Sequence, residues 1–201
     1  MSISKLGSTV ALGAAIAIGT LTHAQPPAAQ DRERHSLEAY VSEDALQAEY
    51  MRELDVNEIG RTEIAGGVFF NEARDLIAIG GALSEVGAPE EARRWRLRVG
   101  PHMYGAFLNG EDEDVFGIGL GGDARYYFGA DRASALVLTA YYAPDILTFG
   151  IADNVTDVSL RFETQLRPGT MIFLGYRTFE FDLPVDREVD DNLHIGFRRD
   201  F

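Results

Sequence analysis

The stretch Arg94-Trp95-Arg96-Leu97-Arg98-Val99 sets three arginines against Trp95, Leu97 and Val99. Successive side chains of an extended chain point to opposite faces, so this period of two reads as a strand with one charged and one apolar side. Asp157 to Leu166 repeats the pattern, with Asp157, Ser159, Arg161, Glu163 and Gln165 opposite Val158, Leu160, Phe162, Thr164 and Leu166. The chain closes on a third example, in which Leu193, Ile195, Phe197 and Phe201 oppose Asn192, His194, Arg198 and Asp200.

Extending this reading predicts ten strands, near 35–42, 45–54, 62–70, 74–84, 94–108, 115–128, 134–142, 156–166, 170–181 and 191–201. A loop at Asn109–Asp114 pairs Phe107 with Phe116, Met103 with Leu120, Leu97 with Tyr126 and Trp95 with Phe128. That register also opposes Arg98 to Arg125, an unfavourable cross-strand pair. A turn at Arg167-Pro168-Gly169 pairs Phe162 with Leu174, Leu160 with Tyr176 and Arg161 with Gly175. It leaves Phe173 among the polar side chains and Glu180 among the apolar ones.

The whole chain has 201 residues and a formal net charge of -14, with 21 glycines, 12 Phe, 8 Tyr, one Trp and no cysteine. Its acidity argues against nucleic acid, which needs a basic face. The absence of cysteine excludes disulfides, thiol catalysis and zinc-thiolate sites. Lys5 precedes an uncharged apolar run ending in Thr22-His23-Ala24. This is the pattern of a secretory signal peptide over 1–24, cleaved after Ala24. Residues 25–34 then read as a flexible lead-in and 35–201 as one barrel domain.

Alternation alone does not say which face meets solvent. A soluble lipocalin-like barrel buries the apolar face, whereas a transmembrane barrel turns it to lipid. Aromatic residues favour the second arrangement: Phe107 and Phe116 sit near one end of the apolar stripe, and Trp95, Tyr126 and Phe128 near the other. From Trp95 to Phe107 the strand runs about 40 Å at about 3.3 Å per residue. Tilted by about 40°, it spans roughly 30 Å, enough for two aromatic girdles around a band about 25 Å tall.

Loop lengths agree in the second half of the chain, where Gly129–Ala133 and Arg167–Gly169 are short and Ala143–Val155 and Asp182–Asp190 long. With both termini in the periplasm, that is the asymmetry of outer-membrane barrels. The expected fold is therefore all-β: a closed antiparallel transmembrane up-and-down barrel of about ten strands, with eight as the smaller alternative. Its lumen would carry Arg94, Arg96, Arg98, His102, Asp123, Arg125, Asp157, Arg161, Glu163, His194 and Arg198.

The signal peptide, the strand ending at Phe201, and Tyr141-Tyr142-Ala143-Pro144-Asp145 through Leu147-Thr148-Phe149-Gly150 resemble the YfaZ-type outer-membrane proteins. The resemblance implies a small barrel in a Gram-negative outer membrane, with no activity to carry over. Ile195, Phe197 and Phe201 are similar to the C-terminal signal read by the barrel-assembly machinery. Arg199 departs from that signal, whose lipid-facing positions are apolar. Outer-membrane lipid and lipopolysaccharide are the other implied partners, and oligomeric state is open.

Candidate chemistry is sparse. Gly117-Ile118-Gly119-Leu120-Gly121-Gly122 matches a dinucleotide fingerprint by letter, but that motif needs a helix after it, and here the strand pattern continues. His102 and His194 fall on the polar face with Ser159, without any G-x-S-x-G or H-E-x-x-H motif to mark a hydrolase. The acidic groups Glu111-Asp112-Glu113-Asp114 and Asp186, Glu188, Asp190, Asp191 lack calcium-loop spacing. The expectation is a barrel with a structural or surface role, with no catalytic residues, cofactor or metal. The alternatives are a narrow passive channel, a soluble periplasmic lipocalin-like carrier and a lipid-modifying barrel enzyme. Inward Gly117, Gly119, Gly121 and Gly175 leave open whether salt bridges plug the lumen or a thin gap remains.

Overall fold

The computed structural model describes residues 34–57, 60–86, 94–110, 114–129, 131–183 and 187–201. The signal peptide with Ala24, residues 25–33 of the lead-in and Glu111 to Glu113 lie outside the described residues, as does Asp186. The strands are β1 (His35–Ser42), β2 (Ala45–Asn57), β3 (Gly60–Asn71), β4 (Leu76–Glu85), β5 (Trp95–Phe107), β6 (Val115–Phe128), β7 (Ser134–Ala143), β8 (Thr148–Phe149), β9 (Asn154–Arg167), β10 (Thr170–Asp182) and β11 (Arg187–Asp200). All but the two-residue β8 form one ring of ten antiparallel strands. Each pairs with its neighbour in sequence, β7 passes over β8 to β9, and β1 closes on β11 from Ser36–Asp200 to Ser42–His194. The expected closed up-and-down barrel is the observed fold.

The strand set matches the sequence reading within a few residues, apart from β8. The connection after β7 holds a single 3-10 turn, Asp145–Leu147, and then folds back so that Phe149 pairs with Phe116 on β6. Between β10 and β11 the structure corrects the expected long loop: β11 begins at Arg187, and Asp190 and Asp191 are strand residues. The bias toward long loops at the end opposite the termini therefore rests on 144–153 alone in this half of the chain.

The two hairpin registers fared differently. The β9–β10 register is as read, pairing Phe162 with Leu174, Leu160 with Tyr176 and Arg161 with Gly175, with a bulge absorbed beside the turn. Between β5 and β6 the true register is displaced by two residues: Trp95 meets Tyr126, Met103 meets Ile118 and Gly105 meets Phe116. A two-residue slip keeps every side chain on its face. It also sets Arg98 against Asp123 instead of Arg125, exchanging a like-charge pair for an ion pair.

The apolar stripes face out. Trp95 is 63% exposed and Leu97, Val99, Met103, Leu120, Leu138, Leu160, Leu174 and Ile195 are all exposed, while Arg98, Asp123, Arg125, Asp157 and Glu163 are buried. This is the reverse of a water-soluble barrel, whose buried charges would be the anomaly. Phe173 and Glu180 take the sides the β9–β10 register gave them, Phe173 buried inside among the polar side chains and Glu180 exposed outside among the apolar ones.

Candidate functional site: the lumen

The interior has two zones. Toward the end opposite the termini, Phe69, Ile77, Tyr104, Val115, Val155, Phe179 and Phe181 are essentially fully buried and fill the bore. Phe69 meets Phe179 edge to face at 5.7 Å, and Tyr104 and Phe181 pack on the same ring at 5.5 and 5.3 Å. This apolar plug was not legible in the sequence, because Val68-Phe69-Phe70 and Leu76-Ile77-Ala78-Ile79 are apolar on both faces.

Beneath the plug lies a charged zone. Arg177 donates from Nε and Nη2 to both oxygens of Asp157 at 2.8 and 2.7 Å. Its Nη1 donates to Gln47 Oε1 at 2.7 Å and to the Tyr40 hydroxyl. The same guanidinium lies 4.6 Å from the Phe179 ring centre and 5.5 Å from that of Phe69, so one side chain ties the two zones together. Tyr104 donates to Asp157 from the plug side at 3.3 Å.

Glu38 holds two more guanidiniums, accepting from Arg161 Nη1 at 2.5 Å and from Arg198 Nη2 at 2.8 Å. Glu163 joins Arg161 to Arg125, at 2.8 and 3.2 Å. Arg98 donates through Nε to Asp123 at 2.8 Å and through Nη1 to Glu63 at 2.7 Å. Planar guanidiniums suit such sites because their fork of donors satisfies two carboxylate oxygens at once. Nearer the termini Arg96 faces Glu85 at 3.4 Å.

The structure thus brings together Arg98, Asp123, Arg125, Asp157, Arg161, Glu163 and Arg198 of the predicted lumen set. Arg94 is placed elsewhere: it precedes β5 and is exposed, its carbonyl accepting from the Tyr127 N–H. His102 and His194 are buried, the first against Tyr104 and Tyr141 at 4.8 and 4.5 Å, the second against Tyr40 at 4.6 Å. Arg177, Glu38, Gln47 and Glu63 were missed by the sequence reading.

The inward glycines leave no continuous gap. A side chain at Gly119 would meet the Tyr104 ring, one at Gly121 the Tyr141 ring, and one at Gly175 both Arg161 and His194. These glycines make room for large neighbours across the bore. Among the described residues the bore keeps a chamber of about 110 Å3 beneath the plug, lined by the ion pairs themselves. The dinucleotide-like Gly117–Gly122 run lies wholly within β6, without the strand-to-helix turn that aims N–H groups at phosphate.

Outside, Trp95 packs on Tyr126 at 4.7 Å and Tyr126 on Phe128 at 5.2 Å, while Phe116 stacks with Phe149 at 6.2 Å at the other end beside exposed Phe107. His35, Tyr50 and Phe201 add a third aromatic cluster at the terminal end. Ile195, Phe197 and Phe201 all face outward. Arg199 lies among them, and its Nη1 donates to Thr170 Oγ1 at 2.5 Å and reaches the Pro168 and Gly169 carbonyls at 3.4 Å. The guanidinium folds onto the turn, as long cationic side chains do at an apolar boundary.

No protein-family model matches the chain, and no curated protein sequence matches it. Among solved structures, it is similar to a chain from work on the mechanism behind the in-meso crystallization of membrane proteins, at 10% identity over 84% of this chain and 83% of that one, with a TM-score of 0.43. It is also similar to the outer membrane channel DcaP of Acinetobacter baumannii, at 12% identity over 82% of this chain and 54% of that one, with a TM-score of 0.39. At these values both are likenesses of form, and neither carries a role to this chain.

Proposed function

We propose that this chain is a small barrel of a Gram-negative outer membrane, with a closed lumen and a structural or surface role. The observation that carries the proposal is the inversion of the barrel, with an apolar belt on its outer wall and buried charges held within. Soluble proteins rarely expose a continuous apolar belt of this kind, and a closed barrel leaves no backbone group unpaired in lipid. On this reading the signal peptide exports the chain, Ile195, Phe197 and Phe201 engage the assembly machinery, and the termini stay periplasmic. Lipid and lipopolysaccharide surround the wall. Membership of the YfaZ-type group belongs to the same proposal and rests on the residues quoted for it. The filled bore favours this reading over a passive channel.

The test combines location with one substitution. The native protein should be recovered in the outer-membrane fraction and change its gel mobility on boiling. Leu160, 47% exposed at mid-strand, should there tolerate no charge: Leu160→Arg is expected to destabilise the assembled barrel by about 2–4 kcal/mol, read from its urea midpoint in lipid vesicles. On a water-soluble carrier the same change would be nearly neutral, and that result with a soluble periplasmic protein would overturn the proposal. A second measurement addresses the bore: in planar bilayers the protein should give no current steps, and regular steps would restore the channel alternative.

A further inference from the structure

The chamber beneath the plug is lined by one more carboxyl group than guanidinium. Among the described residues it is lined by the carboxylates of Glu38, Glu49, Glu63, Asp123 and Asp157, against four guanidiniums. Each guanidinium is already committed: Arg161 and Arg198 to Glu38, Arg98 to Asp123 and Glu63, Arg177 to Asp157. Glu49 is left over. Among the described residues it has no ion-pair partner and accepts one hydrogen bond, from Gln47 Nε2 at 3.3 Å.

Two imidazoles from opposite sides of the ring, on β5 and β11, each carry a nitrogen without a bond. His102 and His194 are 8% and 3% exposed and line the chamber. His102 Nε2 and His194 Nδ1 are buried without a hydrogen bond. A buried polar atom left unpaired loses its bond to water without replacement, so native structures rarely keep one without a reason. Each imidazole can offer a lone pair from the unpartnered nitrogen.

We propose that the chamber binds a small primary ammonium cation. The surplus carboxylate calls for one positive charge, and each lining guanidinium already faces a carboxylate, Arg161 Nε being the one buried guanidinium donor among the lining residues left without a bond. The –NH3+ group supplies three donors, and the free acceptors around the chamber are the Glu49 carboxylate and the two imidazole nitrogens. Tyr40 and Tyr141 also line the chamber, and aromatic neighbours favour an organic cation over a bare hard ion. At about 110 Å3 the space suits one such ion with little else, since a water takes about 30 Å3. Access is from the terminal side: the side chains of Glu63, Arg96 and Glu85 are 19%, 24% and 15% exposed there, whereas the plug above is sealed.

The experiment uses the full mature chain refolded in an uncharged detergent and titrated calorimetrically with methylammonium chloride, with sodium chloride holding ionic strength constant. Saturable one-to-one binding is expected, weakened at least ten-fold in Glu49→Gln, which keeps the shape and removes the surplus charge. His194→Phe should weaken it several-fold while the gel shift on boiling persists, separating loss of the site from loss of the fold. Absence of saturable heat would overturn the proposal, since Glu49 would then simply carry a proton. So would an equal response to sodium alone, or unchanged binding in Glu49→Gln. None of these outcomes depends on where the barrel resides.

Discussion

Arg177→Ala is expected to cost about 3–5 kcal/mol of barrel stability, the penalty for stranding one member of a buried ion pair. Asp157 would lose both of its guanidinium bonds, Gln47 and Tyr40 would lose a shared donor, and the Phe69 and Phe179 rings would face a void. The readout is the urea midpoint for loss of the unboiled gel form. The double variant Arg177→Met with Asp157→Leu should recover much of the loss, because well-packed apolar pairs often replace buried ion pairs at little cost. A loss below about 1 kcal/mol in Arg177→Ala would mean that water in the chamber solvates Asp157 well enough to replace the guanidinium.

Gly122→Ala is the second large effect. A Cβ at Gly122 would lie 1.9 Å from the carbonyl oxygen of Arg98, and one at Gly100 would lie 1.8 Å from that of Ala82. No rotamer relieves such a contact, because the neighbour is backbone of the next strand. Either the β5–β6 ladder shifts or the local coil of the sheet flattens, and overpacking of this sort costs about 1–3 kcal/mol or more. Gly105 supplies the control on the same hairpin: nothing lies within 4 Å of its Cβ position. Gly105→Ala should assemble normally while Gly122→Ala shows a reduced yield of the heat-modifiable form. Equal behaviour of the two would show that the sheet tolerates flattening at β5–β6.

The faces of the strands were legible because a period of two survives any uncertainty in boundaries. Register was legible only where a turn fixed it. Pro168-Gly169, with Gly169 at φ +69°, leaves the β9–β10 hairpin a single way to close. Between β5 and β6 the longer connection admits several closures that differ by two residues and give the same faces. The choice falls to charge, and the opposition of Arg98 to Arg125 was the trace of the wrong one. Arg177 escaped notice for another reason. Its inward neighbours Phe173, Gly175, Phe179 and Phe181 are apolar or absent, so β10 shows no polar stripe. Glu38 meets Arg198 on the neighbouring β11 and Arg161 on β9, both from the far end of the sequence, which no local pattern can show.

The seam has a kinetic consequence. Ser36 and Asp200 are hydrogen-bonded across 164 positions of sequence, and the His35 and Phe201 main chains bond each other in both directions. No arrangement of the first ten strands in the chain can seal the ring. Until β11 docks, β1 and β10 each present a full row of unpaired amides and carbonyls, an invitation to pair with another chain. Glu38 waits as well, since both of its cations arrive late, on β9 and β11. Closure of the ring and neutralisation of its inner charge are therefore one late event, slow by the length of the loop it must close. The vulnerable period in this protein's life is the interval before its last strand arrives.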